Sequence, residues 1–309
     1  MQETFSLKIN HISKVIKKYW FIYLLVIPGF IYIFIFRYIP IYGIMIAFKK
    51  FSITKGIWNS PWVGLENFKV VFQSAAFYKV IWNTVVINIY NIVFGSVIVI
   101  FLALMLNEMK NQFVKKIIQT IVYLPNFISW IVMAGMVIIF LSPSEGLINK
   151  IIVMIGGESI YFLIKKEYFR VILVITSIVK TAGFGTILYL ASISGIDPCL
   201  YESAVIDGAN RKDMIIHITL PRLYPTIAVM TILSISHLFS SNFELVFTLY
   251  NPLVYETGDV LSTYLYRIGM LEAEFEQSTA LNLVFSCISV FTIFFTNKAV
   301  KKMDVTGIF

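Results

Sequence analysis

Lys180, His237 and Glu244 are ionisable side chains set inside long apolar runs. A charge at the middle of a membrane span costs about 2.5–3.5 kcal/mol, so it faces water, a partner or a transported solute. Lys180 sits mid-run and Glu244 lies near the end of its run, and the two serve either a solute path or an ion pair with each other. His237, in this setting, is more often a packing hydrogen-bonder than a proton relay. Polar stripes surround these groups: Thr231, Ser234, His237, Ser241, Glu244 and Thr248 in one run, Thr84, Asn88, Asn91 and Gly95 in a second, and Thr279, Asn282, Ser286 and Ser289 in a third. At helical spacing each set shares a face. Three such faces predict either a shared aqueous seam or, for the Ser and Thr residues above all, hydrogen-bonded helix packing. The candidates for a solute path are Asn83, Asn88, Trp130, Lys180, Ser241, Asn242, Phe243 and Glu244.

A second constellation, Tyr201 to Pro225, is a polar interval between two apolar runs, and its chemistry is docking rather than catalysis. Asp197 before Pro198 offers a capping acceptor followed by a residue with a preset φ and no N–H to lose, so a short helix starts there. It ends at Gly208, where a left-handed backbone is tolerated. Asn210 caps a second short helix with Asp213 in its first turn. Pro221 is expected to stop that helix, and Pro225 to mark entry into the next apolar run. No G-x-x-x-x-G-K-[ST] phosphate loop is present; Gly183 to Leu190, GFGTILYL, lies in an apolar run and lacks the lysine. The three histidines are far apart and no nucleophile motif occurs. The chain is therefore expected to hold no cofactor, no metal and no catalytic residue.

The elements that must position these groups follow from composition. Hydrophobic residues make up 58% of the chain and mean hydropathy is +0.82, the profile of an integral membrane protein. The net charge of +8 is scattered between apolar runs with no basic stripe, which argues against nucleic acid. Two cysteines, Cys199 and Cys287, imply no disulfide framework. Abundant Ile, Lys, Phe and Asn suggest an AT-rich bacterial genome. The chain divides into a polar segment 1–18, a first span 19–48, an external segment 49–78, a transmembrane core 79–300 containing the loop 191–222, and a tail 301–309. Within the core, apolar runs at about 79–107, 117–141, 169–190, 223–249 and 277–297 are each long enough to cross about 30 Å of hydrocarbon. The fold class is an all-α membrane protein of six spans. A weak Lys/Arg bias puts both termini in the cytoplasm. Leu147 to Ile155 and Leu261 to Met270 are too short to span and are expected to lie flat at the outer surface, as docking sites or as plain anchors.

The spacing E-S-A-x-x-x-G followed by I-x-L-P resembles the EAA loop of binding-protein-dependent ABC importer permeases, matched here at Glu202, Ala204, Gly208, Ile218, Leu220 and Pro221. Ser203 replaces the family's middle alanine, a change of one hydroxyl that leaves close approach possible. SPWVGLENF, YLPNFISW, LSPSEGLINK, ISGIDPCLYESAVIDGANR, HITLPRLYPTI and LYNPLVY extend the likeness over nearly the whole chain, to the LplB-like polysaccharide permeases. The resemblance implies a six-span, maltose-permease-like type I fold in a bacterial cell membrane. It implies import of oligosaccharides by alternating access, with a second homologous permease, a solute-binding lipoprotein outside, and two cytoplasmic ATPase subunits that bind ATP and Mg. Glu202, Ser203, Ala204, Asp207, Gly208, Ala209, Leu220 and Pro221 would then contact the ATPase, and Trp130 and Phe243 would offer faces on which sugar rings stack.

Two other functions compete. An ion-coupled secondary transporter would use Lys180, His237 and Glu244 as coupling groups and predicts an inverted repeat, which the sequence does not display. A membrane-embedded glycosyltransferase would need a carboxylate pair or a D-x-D element at a membrane face, and none is found.

Overall fold

The computed structural model describes residues 17–301, with side chains to 298, and is helical almost throughout, an isolated bridge between Lys49 and Trp62 being its strand-like pairing. The expectations for most of segment 1–18 and for the tail 302–309 fall outside the described residues. Among the described residues five helices are long and apolar enough to cross a membrane, or six if one bent pair is a single span.

The first crossing begins as α1 (Trp20–Ile33) and continues through a π-helical turn at Phe34–Tyr38 into a 3-10 segment at Ile39–Phe48. Pro40 explains the wide turn, because a residue with no N–H cannot close an ordinary helical ladder. A short amphipathic helix, α2 (Glu66–Gln73), leads into α3 (Ala75–Glu108), about 51 Å of uninterrupted helix.

The expected span 117–141 is broken. It comprises α4 (Gln112–Tyr123), a 3-10 turn at Leu124–Phe127, and α5 (Trp130–Phe140), with the two arms bent by 105°. Pro125 interrupts the ladder, and Ser129 restarts it by accepting a hydrogen bond from the Val132 N–H at 3.2 Å. Helix α6 (Leu147–Met154) lies exposed beyond this span, anchored through buried Asn149.

Helix α7 (Lys166–Ser194) packs along α3, and their apolar faces form the main core through Ile87, Val99 and Ala103 against Leu173, Ile178 and Ala182. After α7 come α8 (Pro198–Ile206), α9 (Arg211–Met214), a π-helical turn at Ile215–Thr219, and α10 (Leu220–Ser236). Pro221 does not end the helix: the π turn ahead of it absorbs its missing N–H, and Arg211–Ser236 runs as one helical segment.

The expected span 223–249 is also broken, because α10 ends at Ser236 and α11 (Phe243–Leu249) starts only after Asn242. The stripe from Thr231 to Thr248 is therefore not one helix face. Helix α12 (Leu261–Tyr266) is packed into the protein: Leu261, Thr263 and Ile268 are buried, and its entry is tied down by the Leu261 N–H on the Thr84 hydroxyl at 2.9 Å. The last crossing is α13 (Phe275–Lys301), packed on α10 and on the Ile39–Phe48 segment.

Candidate functional site

Two helix breaks face one another across the bundle, and each exposes carbonyls that the membrane interior cannot hydrate. In the third span the Lys180 ammonium supplies the missing donors. It donates to the carbonyls of Pro125 at 3.3 Å, of Asn126 at 3.1 Å and of Ile128, and it lies 4.9 Å from the Trp130 ring centroid. Lys180 is only 5% exposed, and neither of the two orientations drawn from sequence is found. It does not reach Glu244, and its charge is met by carbonyl dipoles and an indole face rather than by open water. In the fifth span the Asn88 amide donates to the carbonyls of Leu238 at 2.7 Å and Ser240 at 3.0 Å, sealing the turn between α10 and α11.

Between the breaks lies a cleft of about 720 Å³. Helix α3 contributes Asn88, Asn91, Gly95 and Ser96, α7 contributes Ser177, Thr181 and Phe184, and α10 with its break contributes Ser234, His237, Ser240, Ser241 and Asn242. Trp130 closes one side. The Asn91 amide oxygen is buried behind this wall with no hydrogen-bond partner among the described residues. A neck of about 70 Å³ continues from the cleft past Thr84, Asn91 and Asn242 to Leu245, Val246 and Val260. Among the described residues no Asp, Glu, Lys or Arg lines the cleft. Its chemistry is hydroxyl and amide hydrogen bonding with aromatic contact.

Of the sequence-drawn candidates, Asn88, Trp130, Ser241 and Asn242 stand on this wall. Ser241 also shares a 2.8 Å hydrogen bond with Ser262, and Asn242 caps α11 through the Leu245 N–H. The other four stand elsewhere. Asn83 is fully buried, donating to the carbonyls of Glu256 and Asp259 and accepting from Arg170 at 2.6 Å. Phe243 stacks on Phe247, with ring centroids 4.9 Å apart, and Glu244 is exposed in the first turn of α11. The second-span stripe reaches the cleft through Asn88, Asn91 and Gly95, whereas the last-span stripe does not; Thr279 and Ser286 bond carbonyls of their own helix. Ser177 and Thr181 were missed, although their i, i+4 spacing beside Lys180 was a readable signal.

The loop from Tyr201 to Pro225 is built from local hydrogen bonds. Asp197 accepts from the Cys199 N–H at 2.9 Å. Helix α8 closes in a Schellman turn, with the Gly208 N–H on Val205 O and the Ala209 N–H on Ala204 O, and Gly208 at φ +82°. Asn210 and Asp213 form a reciprocal capping box. Glu202, Ser203, Asp207, Gly208 and Pro221 are exposed, Ala204, Ala209 and Leu220 half-buried. Val205 and Ile206 stand 59% and 85% exposed, an apolar knob offered outward.

A polar cleft between interrupted spans, connected through a helix to a protruding elbow, defines a membrane transport subunit. The chain belongs to the family described as binding-protein-dependent transport system inner membrane component, whose profile matches residues 95–305. It is 38% identical over 294 residues to Protein LplB of Bacillus subtilis (strain 168), covering 95% of this chain and 92% of that protein. Over 289 residues it is 37% identical to the polygalacturonan/rhamnogalacturonan transport system permease protein YteP of the same strain, covering 94% and 90%. A chain from the crystal structure of a bacterial ABC transporter involved in import of the acidic polysaccharide alginate superimposes with a TM-score of 0.87 at 41% identity, covering 94% of this chain and 99% of that one. A second alginate transporter structure, in complex with an alginate pentasaccharide-bound periplasmic protein, gives 0.87 at 40% identity, covering 96% and 99%.

Proposed function

We propose that this chain is the permease subunit of an ATP-driven importer of oligosaccharides or polysaccharide fragments, moving them through the cleft by alternating access. One observation carries the reading: the helical segment Arg211–Ser236 bears the docking elbow at one end and cleft residues Met230 and Ser234 at the other, about 39 Å of stiff connection. Saccharide fits the wall, where amides and hydroxyls meet the rings of Trp130 and Phe184, and the relatives named for polygalacturonan/rhamnogalacturonan and for alginate support it. A second, homologous permease completes the path. Two ATPase subunits bind ATP and Mg and receive α8, and an extracytoplasmic lipoprotein delivers the solute. Both termini and the elbow are then cytoplasmic. Ion coupling is not favoured, because Lys180, His237 and Glu244 do not converge: one is on carbonyls, one at the end of α10 and one exposed on α11.

The test is Gly208→Val in the importer reconstituted with its partners. Apart from its chain neighbours, no heavy atom of the described residues lies within 4 Å of a Cβ built there, so the penalty is backbone strain at φ +82° and obstruction of whatever docks. ATP-driven uptake and ATPase association fall on the order of tenfold or more while the two permeases stay paired. Unchanged uptake and association would remove α8 as the coupling element.

A further inference from the structure

Lys180 is a buried charge that the transport reading leaves without a task. An ammonium has three protons, and three carbonyls of the third-span break take them, those of Pro125, Asn126 and Ile128. The same ammonium sits 4.9 Å from the centroid of Trp130, the first residue of α5 and part of the cleft wall. One turn along α7, Gly183 lets the last turn of α4 approach so closely that a Cβ there would collide with the Val122 carbonyl oxygen. The third-span break is thus pressed close to α7 just ahead of its start and fastened at Lys180, and Trp130 is the side chain this fastening delivers to the cleft.

We propose that Lys180 is a positioning residue that, by holding the carbonyls of the third-span break and the Trp130 ring together, keeps the indole on the cleft wall as a stacking surface for a pyranose ring. The proposal rests on the reading of the cleft as a saccharide path. The ligand chemistry follows from the surroundings. An aromatic face takes up the apolar C–H face of a sugar ring, while Ser177 and Thr181 meet its hydroxyls. Lys180 itself touches no solute; without it the carbonyls of Asn126 and Ile128 lose their donor, that of Pro125 keeps only the Ile128 N–H at 3.2 Å, and the indole loses the cation over its face.

The importer, reconstituted in liposomes with its partner permease, ATPase and binding protein, is assayed with tritiated pentasaccharides of a uronate and of a neutral hexose, reading uptake and ATP hydrolysis together. Lys180→Met and Trp130→Leu each lower saccharide moved per ATP by about thirtyfold, the size of a desolvated cation–π contact, and the double variant falls no further. Lys180→Arg, which keeps a cation and donors at the site, stays near the parent ratio. Lys180→Gln, a donor without charge, replaces Lys180→Met if that variant fails to assemble, and behaves as it does. Additive losses, or uptake and ATP hydrolysis falling in proportion as for a general packing defect, overturn the proposal. A loss with Trp130→Leu and none with Lys180→Met removes the positioning role alone. Normal uptake with Trp130→Leu overturns the stacking role, whereas no uptake of either sugar by the parent importer removes the saccharide-path reading beneath it.

Discussion

The docking elbow and the two span breaks solve one problem, how to turn a helical backbone without stranding its polar groups, by opposite means. In the elbow every turn is held by a neighbour. Asp197 serves Cys199, Ala204 serves Ala209, and Asn210 and Asp213 serve each other. In the breaks the donor comes from a distant helix: Lys180 is 52 to 55 residues from the carbonyls it satisfies, and Asn88 is 150 and 152 residues from Leu238 and Ser240. Water supplies what a cap does not reach at the elbow; the breaks lie inside spans, where each seal must come from the protein. A turn outside the membrane is a local agreement, and a turn inside it is a tertiary contract.

The difference predicts unequal costs. The largest falls on Asn88→Leu, which leaves the carbonyls of Leu238 and Ser240 without their donor while keeping side-chain bulk. A loss of roughly 2–3 kcal/mol is expected, read as a lowered thermal midpoint of the purified assembly. A loss no greater than that of an elbow cap would erase the distinction between the two regions. The intermediate case is Asn210→Ala, which removes an acceptor shared by the Lys212 and Asp213 N–H groups at the exposed elbow. It costs about 1 kcal/mol, because solvent replaces much of what the side chain gave. Hydrogen exchange confined to α8 and α9 checks that the effect is local.

The same contrast explains what could be read from the chain. Caps and the glycine turn are written in adjacent residues, so Asp197, Gly208 and Asn210 were legible before any coordinates. Pro125 and Pro221 were visible too, but a proline announces only a missing N–H; whether the helix breaks, as at Pro125, or widens and continues, as at Pro221, depends on its neighbours. The apolar runs did not show that two spans are interrupted, since hydropathy counts side chains and is blind to unsatisfied carbonyls. The cost of placing a lysine in a span was legible at Lys180, yet its partners are backbone atoms, which every residue possesses and no pattern marks. Asn83 was misplaced for the same reason, as its donors meet the carbonyls of Glu256 and Asp259.

The smallest effect is expected where the elbow does reach a distant element. Arg211 in α9 lies 3.5 Å from Glu108 at the end of α3, the one ion pair among the described residues that joins the loop to another span. Its side chains are 57% and 38% exposed, so water screens the pair. Arg211→Ala should change stability by less than about 0.5 kcal/mol, and raising ionic strength should make even that vanish. The measurement is a double-mutant cycle with Glu108→Gln, because single substitutions also alter helix-end charge. If the coupling instead approached the cost of Asn88→Leu, the elbow would be held from afar as the breaks are. Its capping residues would then shape it without fixing where it stands, and a stroke of the docking subunit would reach α3 through Glu108 as directly as it reaches the cleft through α10.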